Sequence, residues 1–216
     1  MSIKIAIILS GGSGSRFSRI MPKQYWFIDR EIVLRRILHT FYMTHCFDYI
    51  ICVVNEKYHQ LSSMIASSIS NYIHIITGGL TRQDSSHNAI KYLRQVIQQD
   101  SLDTSIVAIH DAARYLCTKE LIQSSLENLD EHYDGVAPCI PTPDSTIIDG
   151  KYINRDRIKL IQTPQIFKFY PLYDSHNRSS NMSFTDDASM LQYHGYKIKF
   201  IPGDINNIKL THYNNN

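Results

Sequence analysis

The chain has 216 residues, 43% hydrophobic and 19% charged, which is enough apolar material for a substantial core and excludes a disordered polymer. Its formal net charge of +2 is spread thinly, and its longest basic stretch, Arg155-Asp156-Arg157-Ile158-Lys159, is interrupted, so a nucleic-acid partner is not expected. Four cysteines without a CxxC pair or a His at zinc spacing argue against a zinc centre.

Read in chain order, short β-rich runs alternate with helix-like segments. Ile3 to Leu9 is nearly all apolar, as expected of a strand buried on both faces of a parallel sheet. This run is too short for a membrane span and leads straight into glycines, so the expectation is a cytoplasmic protein with no membrane partner. Four more strands are expected at Tyr49 to Val54, Ile73 to Thr77, Ile106 to Ile109 and Gly135 to Ile140. Cys52 and Cys139 fall inside two of them and are expected to be buried thiols. Helices are expected at Ile32 to Tyr42, Lys57 to Ser70, Gln83 to Gln98 and Lys119 to Asn128. Alternation of this kind predicts a mostly parallel α/β sheet covered by helices on both sides. From Pro141 to about Lys159 the pattern breaks at Pro141, Pro143 and Asp149-Gly150, which predicts a projecting β-hairpin arm. A helix at Asp186 to Tyr193 and a strand at Lys197 to Ile201 complete the series, all within one domain spanning residues 1–216.

Three segments, together with Lys23, carry residues suited to phosphate chemistry. The loop Ser10-Gly11-Gly12-Ser13-Gly14-Ser15-Arg16 follows the first strand, where glycines let backbone N–H groups approach an anion. It lacks the Gly-Lys-Ser/Thr of a Walker A loop and, taken alone, is also compatible with a plain tight turn. Arg16 and Lys23, seven positions apart, add two cations and point to a polyphosphate site. Asp111, in His110-Asp111-Ala112-Ala113-Arg114, is expected at a strand's carboxyl end, where it can hold Mg²⁺ against phosphate oxygens or cap the next segment. In Gly78-Gly79-Leu80-Thr81-Arg82-Gln83-Asp84-Ser85 the glycines permit close approach to a base, while Arg82 and Ser85 can serve phosphate or ribose. Thr81, Asp84 or Ser85 can equally act as helix caps. Thr185, ahead of Asp186-Asp187, is read as a helix N-cap, and Asn206-Asn207-Ile208-Lys209 has no reading of its own.

The ordered set GGSGSRF, PKQY, GGxxRQDS, HDAAR, TPQ (Thr163 to Gln165), TDDAS and NIKLT resembles the 2-C-methyl-D-erythritol 4-phosphate cytidylyltransferase family over about residues 3 to 211. The resemblance implies a Rossmann-like nucleotidyltransferase domain whose arm, at about 141–160, completes a homodimer. It implies CTP and methylerythritol 4-phosphate as substrates and Mg²⁺ as the cation. Arg16 and Lys23 would then stabilise charge building on the α-phosphate, while Arg155, from the partner subunit, and Lys209 would position the attacking phosphate. Ser10, Gly11, Gly12, Ser13, Gly14, Gly79, Arg82 and Ser85 would line the CTP site, and Asp111 would hold the metal. Arg114, Ser145 and Thr185 would contact the acceptor. Leu80 departs from the acidic residue common at its position, and Ser145 stands where threonine is usual. The Gly11-Gly12 pair also suits the ribitol 5-phosphate cytidylyltransferases, whereas RQDS and the second alanine of HDAAR favour methylerythritol phosphate. A catalytically inactive nucleotide-binding protein would be expected to have lost one of Arg16, Lys23, Asp111 or Lys209, and all four are present.

Overall fold

A computed structural model describes residues 2–12 and 21–211. In chain order, β1 (Lys4–Ser10) is followed by a small antiparallel pair, β2 (Phe27–Ile28) and β3 (Glu31–Ile32), and then by α1 (Val33–Tyr42). Next come β4 (Tyr49–Val54), α2 (His59–Ser67), β5 (Ile73–Thr77), α3 (Arg82–Val96), α4 (Gln99–Asp103), β6 (Ile106–Asp111), α5 (Lys119–Glu127) and β7 (Gly135–Pro141). A hairpin of β8 (Thr146–Ile148) and β9 (Lys151–Ile153) precedes β10 (Lys159–Ile161) and β11 (Gln165–Lys168). The described chain then continues through α6 (Phe169–Arg178), α7 (Asp187–Tyr193) and β12 (Ile198–Pro202).

The parallel heart of the sheet is β6-β1-β4-β5, with Ile7 of β1 opposite both Ile51 and Ile109. Side chains alternate across β1 and feed two separate cores. Ile5, Ile7 and Leu9 pack with α3, α6 and α7 through Leu93, Leu172 and Leu191. Ala6 and Ile8 pack with α1 and α5 through Ile37, Phe41 and Ile122. Each large aliphatic side chain fully buried in this way contributes roughly 1.5–3 kcal/mol, which is why a strand hydrophobic on both faces is stable only between two helical layers.

The predicted strands are all present, but β6 runs on to Asp111 rather than stopping at Ile109. The sheet is not purely parallel, because β11 lies antiparallel between β6 and β7. β10 and β11 pair with the same side of β7 and are separated by Gln162, Thr163 and Pro164, with a cis Thr163–Pro164 bond. The arm is a hairpin as predicted, turning at Asp149 and Gly150 with φ values of 50° and 77°. A two-residue turn with both central φ positive matches the twist of the strands it joins. Two local expectations need correction. The N-cap of α7 is Asp186, whose carboxylate accepts the Ser189 N–H at 2.7 Å, so Thr185 lies outside the helix and exposed. Cys52 is buried, but Cys139 is only partly so, because β7 is leaving the core at that point; all four thiols are free.

Candidate active site

The carboxyl ends of β1, β4, β5 and β6 converge on a cavity of about 440 Å³, a volume typical of small-ligand sites. Its walls include Ser10, Gly11 and Gly12 after β1, Asn55 after β4, and Gly79, Arg82 and Ser85 around the start of α3. Asp111 at the end of β6, with Lys23 and Lys209, completes the polar lining. Nine sequence-predicted site residues are therefore brought together in one place. Ser13, Gly14 and Arg16 lie outside the described residues.

The first wall depends on Gln24, which the sequence reading left without a role. Buried, it donates from Nε2 to the carbonyls of Ser10 and Gly12, at 2.7 and 2.9 Å, and so pins the loop on either side of Gly11. Lys23 starts a single 3-10 turn after Pro22, and its Nζ donates to the Leu210 carbonyl at 2.5 Å. Opposite, Thr81 caps α3 in a reciprocal capping box with Asp84. A Cβ at Gly79 would sit 2.2 Å from Asp84 Cβ, so this tight approach admits only glycine. Ser85 accepts the Gly79 N–H and donates to the Thr81 carbonyl, so its hydroxyl folds the loop rather than capping the helix. Leu80, at the cavity wall, is wholly exposed.

Charge is organised around Asp111. Its Oδ1 accepts from Arg82 Nε at 3.0 Å and its Oδ2 from Lys209 Nζ at 2.6 Å. Burial works against its ionisation, but Arg82 and Lys209 outweigh that effect and hold its pKa well below the ordinary carboxylate range. Arg82 in turn reaches Asp187 through Nη1 at 2.6 Å, and the two carboxylates overcome the cost of burial to hold its pKa above its usual value. Each Asp111 oxygen keeps a lone pair, and among the described residues no group of three or more His, Cys, Asp or Glu could enclose a metal. A divalent cation here would therefore have one protein carboxylate and take its remaining ligands from phosphates and water. That donor set fits Mg²⁺.

His110 and Thr163 fix the Asp111 backbone. The Thr163 hydroxyl accepts the Asp111 N–H and donates to His110 Nδ1, so Nε2 carries the imidazole proton and donates to the Arg114 carbonyl. Burial pushes the His110 pKa down to about 4, which keeps the ring neutral at pH 7. Because the unfolded chain takes up this proton near pH 6.5, the contribution of His110 to stability is complete above that pH and declines as pH falls toward 4. Between pH 7 and pH 4.5 the wild type should therefore lose about 2–3 kcal/mol through this group. Urea unfolding at the two pH values tests this: the loss should be smaller by that amount in His110→Asn, and an equal loss in both proteins would contradict it.

Lys209 is seated by the residues around it. Arg114 donates to the carbonyls of Asn207 and Ile161 at 2.8 and 3.1 Å, buried Asn207 donates to the Thr163 carbonyl, and Leu210 N–H bonds to Ala113. Arg114 thus anchors the segment carrying Lys209 and does not line the cavity. Ser145, Arg155 and Thr185 are likewise outside it. Arg155 sits exposed at the base of the arm, donating to the Pro143 carbonyl at 3.0 Å. Asp187 and Asn207 also went unread. Asp187 follows a carboxylate that acts as the cap and is therefore free for another role, while Asn207 is the second of two adjacent asparagines and carries no distinguishing signal.

A mostly parallel α/β sheet with a glycine-walled, cation-rich cleft at its strand ends defines a nucleotide-handling protein of the nucleotidyltransferase class. Residues 4–215 match the family described as IspD: 2-C-methyl-D-erythritol 4-phosphate cytidylyltransferase. Curated proteins of that name from Thermosipho africanus and Neorickettsia sennetsu are 34% and 33% identical to the chain. The alignments cover 96% and 97% of this chain and 92% of each relative. The solved 4-diphosphocytidyl-2C-methyl-D-erythritol synthase of Anaerococcus prevotii superposes with a TM-score of 0.81 at 25% identity, covering 97% of this chain and 93% of that one. The chain belongs to the IspD family.

Proposed function

We propose that the protein transfers a cytidylyl group from CTP to 2-C-methyl-D-erythritol 4-phosphate, giving 4-diphosphocytidyl-2-C-methyl-D-erythritol and pyrophosphate in isoprenoid-precursor synthesis. The observation that carries this reading is the convergence of Lys23, Arg82, Asp111 and Lys209 on one cavity in a chain of this family. An oxygen of the acceptor phosphate attacks the α-phosphorus of CTP. A new P–O bond forms as the bond to the β-phosphate bridging oxygen breaks and pyrophosphate leaves. A phosphate monoester is already an anionic nucleophile at pH 7, so the site needs no general base. Its task is to hold two anions in line and to meet the charge that builds in the transition state.

Lys23 and Arg16 meet that charge at the α-phosphate, and the loop Ser10 to Gly14, Gly79, Arg82 and Ser85 holds the nucleotide. Lys209 positions the acceptor phosphate, helped by Arg155 from the partner subunit, while Arg114, Ser145 and Thr185 are assigned to the acceptor side. Asp111 would hold Mg²⁺, which would supply charge neutralisation at the phosphates. The assembly proposed is a homodimer through the arm, where Ile147, Ile148 and Tyr152 are 60%, 56% and 83% exposed, an apolar surface suited to a partner. Among the described residues no helix is long and apolar enough to cross a membrane, and the cytoplasm is the proposed compartment.

The test is pyrophosphate release from CTP and Mg²⁺ with each of two acceptors. Methylerythritol 4-phosphate should support turnover and ribitol 5-phosphate should be a poor acceptor. A preference for ribitol 5-phosphate would reassign the acceptor, and no release with either would remove the transferase reading.

A further inference from the structure

Beyond the cavity wall, Arg82 is held by a buried chain of side chains from three helices. Asp187, the first residue of α7, takes Arg82 Nη1 on Oδ2 at 2.6 Å. Its Oδ1 takes the Ser86 hydroxyl of α3 at 2.9 Å and His176 Nε2 of α6 at 3.0 Å. Ser86, His176 and Asp187 are almost completely buried. Because Asp187 accepts all three bonds, His176 must carry its proton on Nε2. With Nε committed to Asp111 and Nη1 to Asp187, Arg82 has Nη2 left, a buried nitrogen without a hydrogen-bond partner among the described residues.

We propose that Asp187, backed by His176 and Ser86, is a positioning residue that holds the Arg82 guanidinium in register for the triphosphate. This rests on the nucleotide site described above. A guanidinium clamped at two of its three nitrogens keeps its place at the cavity wall, so its positive charge meets the anion without an ordering cost, which is the advantage of a preorganised cation. The clamp acts on the nucleotide rather than the acceptor, because Arg82 belongs to the wall formed with Gly79 and Ser85. Loss of an interaction made equally in the ground and transition states raises KM while leaving kcat in place.

The experiment measures CTP binding to the full chain by calorimetry in the presence of Mg²⁺, together with KM for each substrate and kcat. Asp187→Asn should raise the Kd and KM for CTP about tenfold while KM for the acceptor and kcat stay within about twofold. His176→Ala should raise the Kd for CTP about threefold, and His176→Gln, which can return an N–H donor, should restore it. An unchanged Kd in folded Asp187→Asn would overturn the proposal. So would His176→Gln binding CTP as weakly as His176→Ala, and this pair decides the matter if Asp187→Asn does not fold. Wild-type protein that binds CTP but releases no pyrophosphate would overturn the transferase reading, while the binding measurements would still judge the clamp.

Discussion

Replacing Lys23 with alanine should lower the rate of pyrophosphate release by about 10²–10³-fold, the cost of removing one preorganised donor from a developing anion. Lys23 follows Pro22 at the start of a rigid turn whose next residue, Gln24, pins the Ser10 and Gly12 carbonyls, so its ammonium is delivered by fixed backbone to the cavity. The side chain is only partly buried, and one bond it would give up is to a backbone carbonyl, Leu210 O, rather than to a buried charge. Thermal unfolding should therefore move by no more than a few degrees. Steady-state turnover and melting temperature, measured on the same preparation, separate the two effects. Activity within about threefold of wild type would show that the transition-state charge is met elsewhere.

The second large effect is expected at Asp111. Asp111→Ala leaves Lys209 without its carboxylate and Arg82 with only Asp187, so two cations and a cavity remain where charge was balanced. Removing one partner from a buried pair costs about 3–5 kcal/mol; with Lys209 partly exposed, the lower end of that range applies. The sign of the pH dependence follows from the lowered pKa of Asp111. Its stabilisation is fully present above the unfolded value near 3.9 and is lost as pH falls through the folded value. The stability gap between wild type and Asp111→Ala, read by urea unfolding, should therefore be about 3 kcal/mol at pH 7 and shrink below about pH 4. A gap that stays constant down to pH 3 would mean that the ion pairs are not its source. Turnover should also fall to background, whatever the Mg²⁺ concentration.

The frame of this structure could be read from the sequence because its strands are unusually apolar. Ile5 to Leu9, Ile50 to Val54 and Ile106 to Ile109 have little alternative to lying between two helical layers, and the cavity follows from where such strands end. The stretch from Lys159 to Arg178 could not be read in the same way. Gln162-Thr163-Pro164-Gln165 has the composition of a turn, yet it links two strands on one side of β7, and only pairing with β6 and β7 makes Gln165–Lys168 a strand. α6, for which no expectation was formed, carries Pro171 in its first turn, where proline is tolerated. Within the site, residue types were legible but partnerships were not. Arg82 and Lys209 were each recognisable as phosphate-seeking cations. Their shared carboxylate became visible only in the folded chain, because Asp111 lies 29 residues from one and 98 from the other.

That separation governs how a bound nucleotide acts on the whole molecule. The cavity walls run from Leu9 to Thr211, and Lys209 reaches Asp111 only after Arg114, Asn207 and Leu210 have docked their segment. Partial unfolding at either end of the described chain dismantles the same pocket. Ligand free energy is therefore credited to the cooperative fold and not to a local loop, and it grows with the logarithm of nucleotide concentration above Kd. Saturation with substrate then protects from proteolysis every segment, near the cleft or far from it, whose opening requires the pocket to come apart.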